Sequence, residues 1–478
     1  MKTISKMSWM VVLVIFACTF SVVPWGPGKA LAFTTPKAVF DVNKMGDMSD
    51  FDPNNPVIPT GDTIKIAIVA SFSGPAAVVG QIYYICVLWA AHDINKRGGI
   101  LVDGKKKLVE VIKADHMSKP DQTKKIAERM ALQEKVHVLW GTNGSHLMKV
   151  INDVAEKYKI IAQCTAALSD ELYDATNFNR YSFMSSFSTD QIGRGHAYFY
   201  GQVRKKEKKF YILCQDYLFG HQMADGFKHG LKLYYPGAEI VGEDYHKLFL
   251  TDFAPYLTKI KASGAEVIYT GDWIPDAANL LKQARQMGIK LPFAHIFLDE
   301  PNFLHEVGVE GTKGNIQLSQ YGTENPVFKT PEQIKYYKTW NNLWKTKWQA
   351  PYNTRTYEHG TGNIGSYVQQ TYWLLSVIER AQSTDPEKII KVFEGDSYQF
   401  VNGKILKMRA CDHKAIQDLH IFEFVPPDQQ KQSFNIPPYY WFQGTSAAGP
   451  TFKIPAEKVL PLMDTKMDRC KGKNEWGE

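Results

Sequence analysis

Two polar turns could do chemistry: Ser71-Phe72-Ser73-Gly74-Pro75 and Gly141-Thr142-Asn143-Gly144-Ser145, each following an apolar run and opening a helical pattern. A helix N-terminus carries N–H groups without intrahelical partners and a partial positive charge, so such a turn suits a carboxylate or similar anion. The competing use of Ser71, Ser73 and Ser145 is to cap their helices, and taken singly each serine fits that role better. Asp299-Glu300 offers two carboxyl groups, but adjacent residues after a strand point in different directions, whereas acid and base work needs both to face one substrate. Gly360-Thr361-Gly362-Asn363-Ile364-Gly365 has the spacing of a dinucleotide loop, yet residues 354–359 before it are polar where that loop requires a strand, so it reads as a helix start. The sequence has no G-x-S-x-G elbow, no G-x-x-x-x-G-K-[ST] loop, no C-x-x-C and no H-E-x-x-H. Neither a cofactor nor a metal is expected.

The elements that must position these turns alternate in type. Strands at 64–70, 108–114 and 136–140 alternate with helices at 76–96, 120–133 and 147–158. The order repeats with strands at 209–214, 240–245, 267–271 and 292–298 and helices at 222–234, 252–262 and 276–287. Alternation of this kind builds parallel β-α-β units, here in two successive α/β halves. Helices are then expected at 331–348, 364–381 and 386–393, and strands at 400–408 and 419–424. Open α/β sheets bind ligands beyond the carboxyl ends of their strands, where both polar turns fall.

The chain has 478 residues, 44% of them hydrophobic and 22% charged, with 11 Trp, 24 Tyr and 26 Phe. That is a folded protein of two or three domains, not a disordered or fibrous one. Against 49 Asp and Glu, 56 Lys and Arg give a net charge of +7. Removing Lys2, Lys6 and Lys29 with a leader leaves +4, too mild to imply nucleic acid.

Lys2 and Lys6, the apolar run 10–20 and Ala30-Leu31-Ala32 follow the basic, apolar and small-residue order of a secretory signal peptide, with cleavage expected after Ala32. Ile15-Phe16-Ala17-Cys18 offers a second reading as a lipid-attachment site at Cys18. No later stretch reaches about 18 uninterrupted apolar residues, so the mature protein is expected to work in an extracytoplasmic space. Residues 33–61, rich in Asn, Asp and Pro without periodicity, read as a flexible tether, and 426–478 as an extended C-terminal arm. Five cysteines follow the leader. Cys86 and Cys214 lie in apolar patterns and read as buried, whereas Cys411 and Cys470 sit among polar residues and are expected to pair, tying the arm to the second lobe.

The run Ile64 to Pro75 followed by Gly80, then AHDINKRGG at 91–99 with Ile100 and Gly104, resembles the opening of the periplasmic leucine/isoleucine/valine-binding proteins, the solute receptors of branched-chain amino acid ABC importers. Residues 253–260 and 265–271, LKQARQMG at 281–288, and Met408-Arg409 with Asp412-His413 before Asp418 are similar to that family in order and spacing. The resemblance covers 62–424. It implies a type I periplasmic-binding fold, two parallel-sheet α/β lobes joined by three crossovers: 62–187 with about 323–400 as lobe I, and 188–322 with about 401–425 as lobe II. It also implies a non-enzymatic, monomeric binding protein that delivers a ligand to an ABC permease in the inner membrane.

Residue by residue, the resemblance places Ser145 on the ligand carboxylate, helped by the backbone of Ala166, with Ser73, Asn143 and Ala167 beside them. Leu168 stands where amino-acid binders keep a threonine hydroxyl. Thr189 or Asp190 precedes the interlobe helix, Phe219 and either Trp273 or Ile274 take aromatic positions in the cleft, and Asp299 or Glu300 falls where an acidic group meets the ammonium. The implied ligand is a branched-chain or other neutral amino acid, or, given Leu168, an aromatic or aliphatic carboxylate. A sensory module of the same fold is the alternative from another class. A hydrolase using Asp299 or Glu300 is the third and lacks a nucleophile and a base.

Overall fold

The computed structural model describes residues 38–39, 45–273, 275–298, 301–320, 339, 362–400, 404–429, 447–460, 469–470 and 472–473. The first lobe is built on β1 (Ile64–Ala70), β2 (Val109–Asp115), β3 (Val138–Gly141), β4 (Ile161–Cys164) and β5 (Ser182–Met184), in the order β2-β1-β3-β4-β5 with every pair parallel. Strand β1 is apolar and almost wholly buried because helices cover both faces of the sheet. These are α1 (Ala77–Lys96), α2 (Pro120–Leu132), α3 (Ser145–Tyr158) and, returning from far along the chain, α9 (Gly362–Ala381) with α10 (Pro386–Phe393). Helix α1 is long and apolar enough to cross a membrane by composition, but its Tyr83, Ile85 and Trp89 pack in one core with Val368, Trp373 and Val377 of α9.

The second lobe carries β6 (Lys209–Gln215), β7 (Glu239–His246), β8 (Val267–Tyr269), β9 (Phe293–His295), β10 (Ile316–Ser319) and β14 (Leu419–Val425), in the order β7-β6-β8-β9-β10-β14 with only β14 antiparallel. Its helices are α4 (Thr189–Tyr198), α5 (Leu218–Tyr234), α6 (Ala254–Ala262), α7 (Asp276–Gln286) and α8 (Pro301–Thr312). Helices α4 and α5 approach so closely that a Cβ on Gly193 would lie 2.1 Å from the Gly226 backbone and one on Gly226 would lie 2.6 Å from Thr189 O. Only glycine permits that contact, and it fixes the start of α4 against the second lobe.

A small sheet completes the first lobe, with Ala38–Val39 parallel to β11 (Ser397–Gln399), then β12 (Ile405–Met408) and β13 (Ala415–Ile416) antiparallel. Here the structure departs from the expected strand at 400–408: β12 takes 405–408, and β11 runs antiparallel beside it from 397 to 399. Leu406, Met408 and Ala415 belong to the first lobe's core and β14 to the second lobe's sheet, whereas the expected division gave about 401–425 to the second lobe. Residues 45–55 do not dangle as a tether. Met48 and Phe51 are buried, Phe51 meets Trp89 edge-on at 5.4 Å, and Asp50 pairs with Lys96 at 2.9 Å. The C-terminal arm adds β15 (Ala447–Ala448) and β16 (Phe452–Ile454) to β14.

A disulfide joins Cys411 to Cys470, while Cys86, Cys164 and Cys214 are buried thiols. Cys411 sits against the first lobe, not the second as expected, because the neighbouring His413 ring stacks on Phe183 at 4.0 Å and Met184 N donates to His413 O at 2.8 Å. The chain leaves the first lobe between β5 and α4, returns between β10 and α9, and crosses again between β13 and β14. Apart from Thr339, the expected helix at 331–348 lies outside the described residues, as do the leader, including Cys18 and Ala32, and Gly360 and Thr361.

Candidate ligand-binding site

The first wall is the α3 N-terminus. Gly144, at φ +93°, turns the chain from β3 into α3 and is its N-cap residue, and no side chain caps the helix. Positive φ at that position favours glycine. Ser145 is therefore the first helical residue, and its Oγ accepts a hydrogen bond from Ser169 N at 3.3 Å. The hydroxyl proton and the Ser145 and His146 N–H groups remain available to an anion, whereas Leu147 N already donates to Gly144 O at 3.1 Å. Ser169 follows Ala166, Ala167 and Leu168 in the loop after β4, so the structure brings Ser145 and that loop together.

The capping expectation for the other serines also gives way to different partners. Exposed Ser73 donates to Asp115 Oδ2 at 2.7 Å, while Phe72 N donates to Asp115 Oδ1 at 2.9 Å. Buried Ser71 lies 2.6 Å from Ser118 by its hydroxyl, and Asn143 braces it by accepting from Ser71 N at 3.2 Å and donating to Ser71 Oγ at 3.3 Å. Asn143 thus joins the turns after β1 and β3. Beside them His116 Nδ1 accepts from Ser118 N, so Nε2 donates to Thr142 at 2.7 Å. Burial pushes this imidazole down to about 4, which keeps it neutral.

Leu168 does not merely replace a hydroxyl. It is buried and packs with Phe187, Ile192 and Phe219 in the second lobe's core, giving apolar contact where the two lobes meet. Thr189 donates to Asp170 Oδ2 at 2.9 Å and receives Asp170 N at 3.3 Å, which places it in the crossover rather than against a ligand. Asp190 pairs with Arg194 at 2.8 Å and lies 3.3 Å from His229 Nδ1. That commits its carboxylate to the α4–α5 contact, so it is not brought to Ser145.

The second wall is aromatic. Trp273 Nε1 donates to the Tyr217 hydroxyl at 3.0 Å, Phe249 meets Trp273 edge-on at 5.7 Å, and Phe219 lies 5.9 Å from Tyr217 and 6.5 Å from Phe297. His146, the second residue of α3, meets Tyr217 edge-on at 5.3 Å across the cleft. Tyr217 and His146 were missed by sequence reasoning, although Tyr217 lies in the turn after β6, where the strand-end rule points. Ile274, Asp299 and Glu300 lie outside the described residues.

Beneath this wall is a charged cluster. His246 Nε2 and Asp272 Oδ2 are 2.8 Å apart with both side chains fully buried, and Asp276 Oδ2 accepts from Gln215 Nε2 at 2.7 Å and Phe249 N at 3.0 Å. Burial alone would lower the His246 pKa, but Asp272 holds it above its usual value. Burial pushes the Asp276 carboxyl up to about 6, against the hydrogen bond from Gln215. The cluster ties the ends of β6, β7 and β8 to the start of α7, and so holds the loop carrying Trp273. An uncapped helix start facing an aromatic wall can hold a small molecule with an anionic end and an apolar body.

The sequence pattern of the periplasmic binding proteins matches residues 63–431. The Leu/Ile/Val-binding protein of Citrobacter freundii is 26% identical over 369 residues, 76% of this chain and 89% of that protein. Among solved structures, a periplasmic binding protein from Burkholderia mallei superposes with a TM-score of 0.69 at 21% identity, covering 86% of this chain and 99% of that one. An ABC transporter solute-binding protein from R. palustris in complex with 4-hydroxybenzoate gives 0.64 at 20% identity, covering 83% and 98%. The match extends over most of the chain and both lobes: this chain belongs to the periplasmic binding protein family.

Proposed function

We propose that the chain captures a small carboxylate-bearing molecule between its lobes outside the cytoplasm and hands it to the permease of an ABC importer. Family membership supports solute binding, and the observation that carries the ligand class is the uncapped α3 N-terminus with Ser145 as its first residue. Closure follows from the two walls. Contacts to both lobes exist only when the cleft is shut, so ligand shifts the population toward the closed form. A neutral or branched-chain amino acid is the nominal ligand, in keeping with the Leu/Ile/Val-binding proteins. An aromatic carboxylate is the second reading, favoured by Leu168 in apolar packing and by the Tyr217–Trp273 wall. The protein acts as a monomer in the periplasm, with its leader cleaved after Ala32. Mass spectrometry of small molecules retained by the purified protein tests the reading. A retained carboxylate or amino acid supports it, and a retained sugar or polyamine overturns the ligand class.

A further inference from the structure

Strands β3 and β4 set Trp140 directly opposite Gln163, so the two side chains leave the same face of the first lobe's sheet. Both are fully buried. Gln163 Nε2 donates to Gln370 O at 2.8 Å and to Ser185 Oγ at 3.1 Å, and Ser185 Oγ donates onward to Gln370 Oε1 at 2.8 Å. A main-chain carbonyl can only accept, so the Gln163 amide is fixed with its nitrogen on Gln370 and its oxygen turned away. That Oε1 has no partner among the described residues, and neither has Trp140 Nε1. Buried polar atoms are nearly always paired, yet here one donor and one acceptor are left open on neighbouring residues.

The position of the pair ties it to the cleft. Trp140 stands on the strand that leads into the Ser145 turn, and Gln163 on the strand that leads into the 166–169 loop. Both strands point their carboxyl ends at the ligand. Trp140 also meets Tyr83 of α1 edge-on at 5.2 Å and Tyr367 of α9 at 6.1 Å. Burial and Tyr367 push the Tyr83 hydroxyl pKa up, and Cys164 and Tyr217 add to the rise. Tyr83 therefore lies within electrostatic reach of Tyr217, on the second lobe's wall.

We infer that Trp140 Nε1 and Gln163 Oε1 form a second polar pole of the ligand site, and that the ligand is a carboxylate carrying a hydroxyl group on its far side. A hydroxyl both accepts and donates, so it serves the N–H and the amide oxygen at once. A carbonyl would serve only the N–H, an ammonium only the oxygen, and an alkyl side chain neither. An alkyl group there would leave both atoms buried and unpaired. Among neutral amino acids and aromatic carboxylates alike, the pole selects the hydroxylated members. This rests on the carboxylate reading above and narrows it.

The test uses carboxylates paired with and without a hydroxyl: 4-hydroxybenzoate with benzoate, tyrosine with phenylalanine, and threonine with valine. Calorimetry is expected to show, in at least one pair, tighter binding of the hydroxylated member by about tenfold or more, as in sites built to hydrogen-bond a substrate hydroxyl. Trp140→Phe keeps a ring and removes the N–H, and is expected to abolish that preference. Ser145→Ala, acting on the carboxylate, should weaken both members alike. Equal affinity within every pair that binds, or a preference that survives Trp140→Phe, overturns the inference; a water held between the two groups would give that result. If Trp140→Phe fails to fold by circular dichroism, the preference of the unaltered protein decides. A wrong carboxylate reading shows separately, because then no member of any pair binds. Phenol and glucose, which carry hydroxyls but no carboxylate, are in that case the probes, read by the 15N-labelled indole resonance of Trp140. A shift with either supports the hydroxyl pole, and no shift with either overturns it.

Discussion

Lys414 Nζ donates to Asp170 Oδ1 at 2.7 Å, an ion pair with the lysine side chain 1% exposed that joins the turn before the last crossover to the loop before the first. The other oxygen, Oδ2, accepts from Asp190 N at 2.7 Å and from the Thr189 hydroxyl at 2.9 Å. One carboxylate therefore stitches the β4–β5 loop, the start of α4 and the 409–414 turn together. Burial alone would raise its pKa, but Lys414 and these hydrogen bonds hold it below the usual range.

Removing the lysine should be costly because it strands the charge. Lys414→Met is expected to destabilise the protein by about 3 to 5 kcal/mol, the range for breaking a buried pair. The double change Asp170→Asn/Lys414→Met should cost less than the two single changes together. Urea denaturation reads both, and strict additivity would mean the two residues do not couple. Because the Asp170 pKa is depressed, its contribution is present above the unfolded value of about 3.9 and fades only as pH falls below it.

Asp276 has the opposite sign. With its carboxyl pushed up to about 6, the native state holds a proton that the unfolded chain releases at about 4, so stability is lost as pH rises between those values. At about 1.4 kcal/mol per unit, that loss is on the order of 3 kcal/mol at neutral pH. Asp276→Asn retains an acceptor for Gln215 and Phe249 N but cannot ionise. Its melting temperature should match the parent at pH 4 and exceed it at pH 7.5. Equal melting temperatures at both values would mean the carboxyl carries no burial penalty.

Much of the architecture was legible because apolar runs such as Ile64–Ala70 read as strands covered on both faces, and amphipathic runs between them as helices. Residues 159–208 were opaque for a physical reason. Strands β4 and β5 are four and three residues long, too short for periodicity, and α4 (TDQIGRGHAY) is buried from Thr189 through Ala197, so it shows no polar face. The Asp190–Arg194 pair is an i, i+4 spacing, visible only once α4 is known to be a helix. Ser145 was legible from the strand–turn–helix rule. Its state as first residue rather than cap was not, since that depends on Gly144 taking positive φ.

Ser145→Ala tests the anion site. Removing the hydroxyl takes away a donor to the ligand and the acceptor of Ser169 N, so binding should weaken by about 1 to 3 kcal/mol, the cost of leaving a buried partner unpaired. Calorimetry with the retained ligand reads the change. An unaltered Kd would place the carboxylate elsewhere.

The remaining prediction separates amino acids from plain carboxylates. A true ligand stabilises the protein by mass action, about 2.7 kcal/mol at a hundredfold excess over Kd, which a melting screen reads as a shift of a few degrees in a chain of this size. Leucine, isoleucine, valine, phenylalanine, 4-hydroxybenzoate and simple aliphatic carboxylates are the compounds to screen. An amino acid brings an ammonium group that cannot be buried unpaired. Asp190 is held by Arg194, so Asp190→Asn should leave amino-acid binding intact, while neutralising Asp299 or Glu300 should abolish it if the ligand is an amino acid. A plain carboxylate makes no such demand, and its binding should survive all three changes. It should instead depend on the aromatic wall, where Trp273→Ala removes the ring that donates to Tyr217. Loss of leucine binding in Asp190→Asn with Asp299 and Glu300 intact would show that the Asp190–Arg194 pair opens to receive the ammonium.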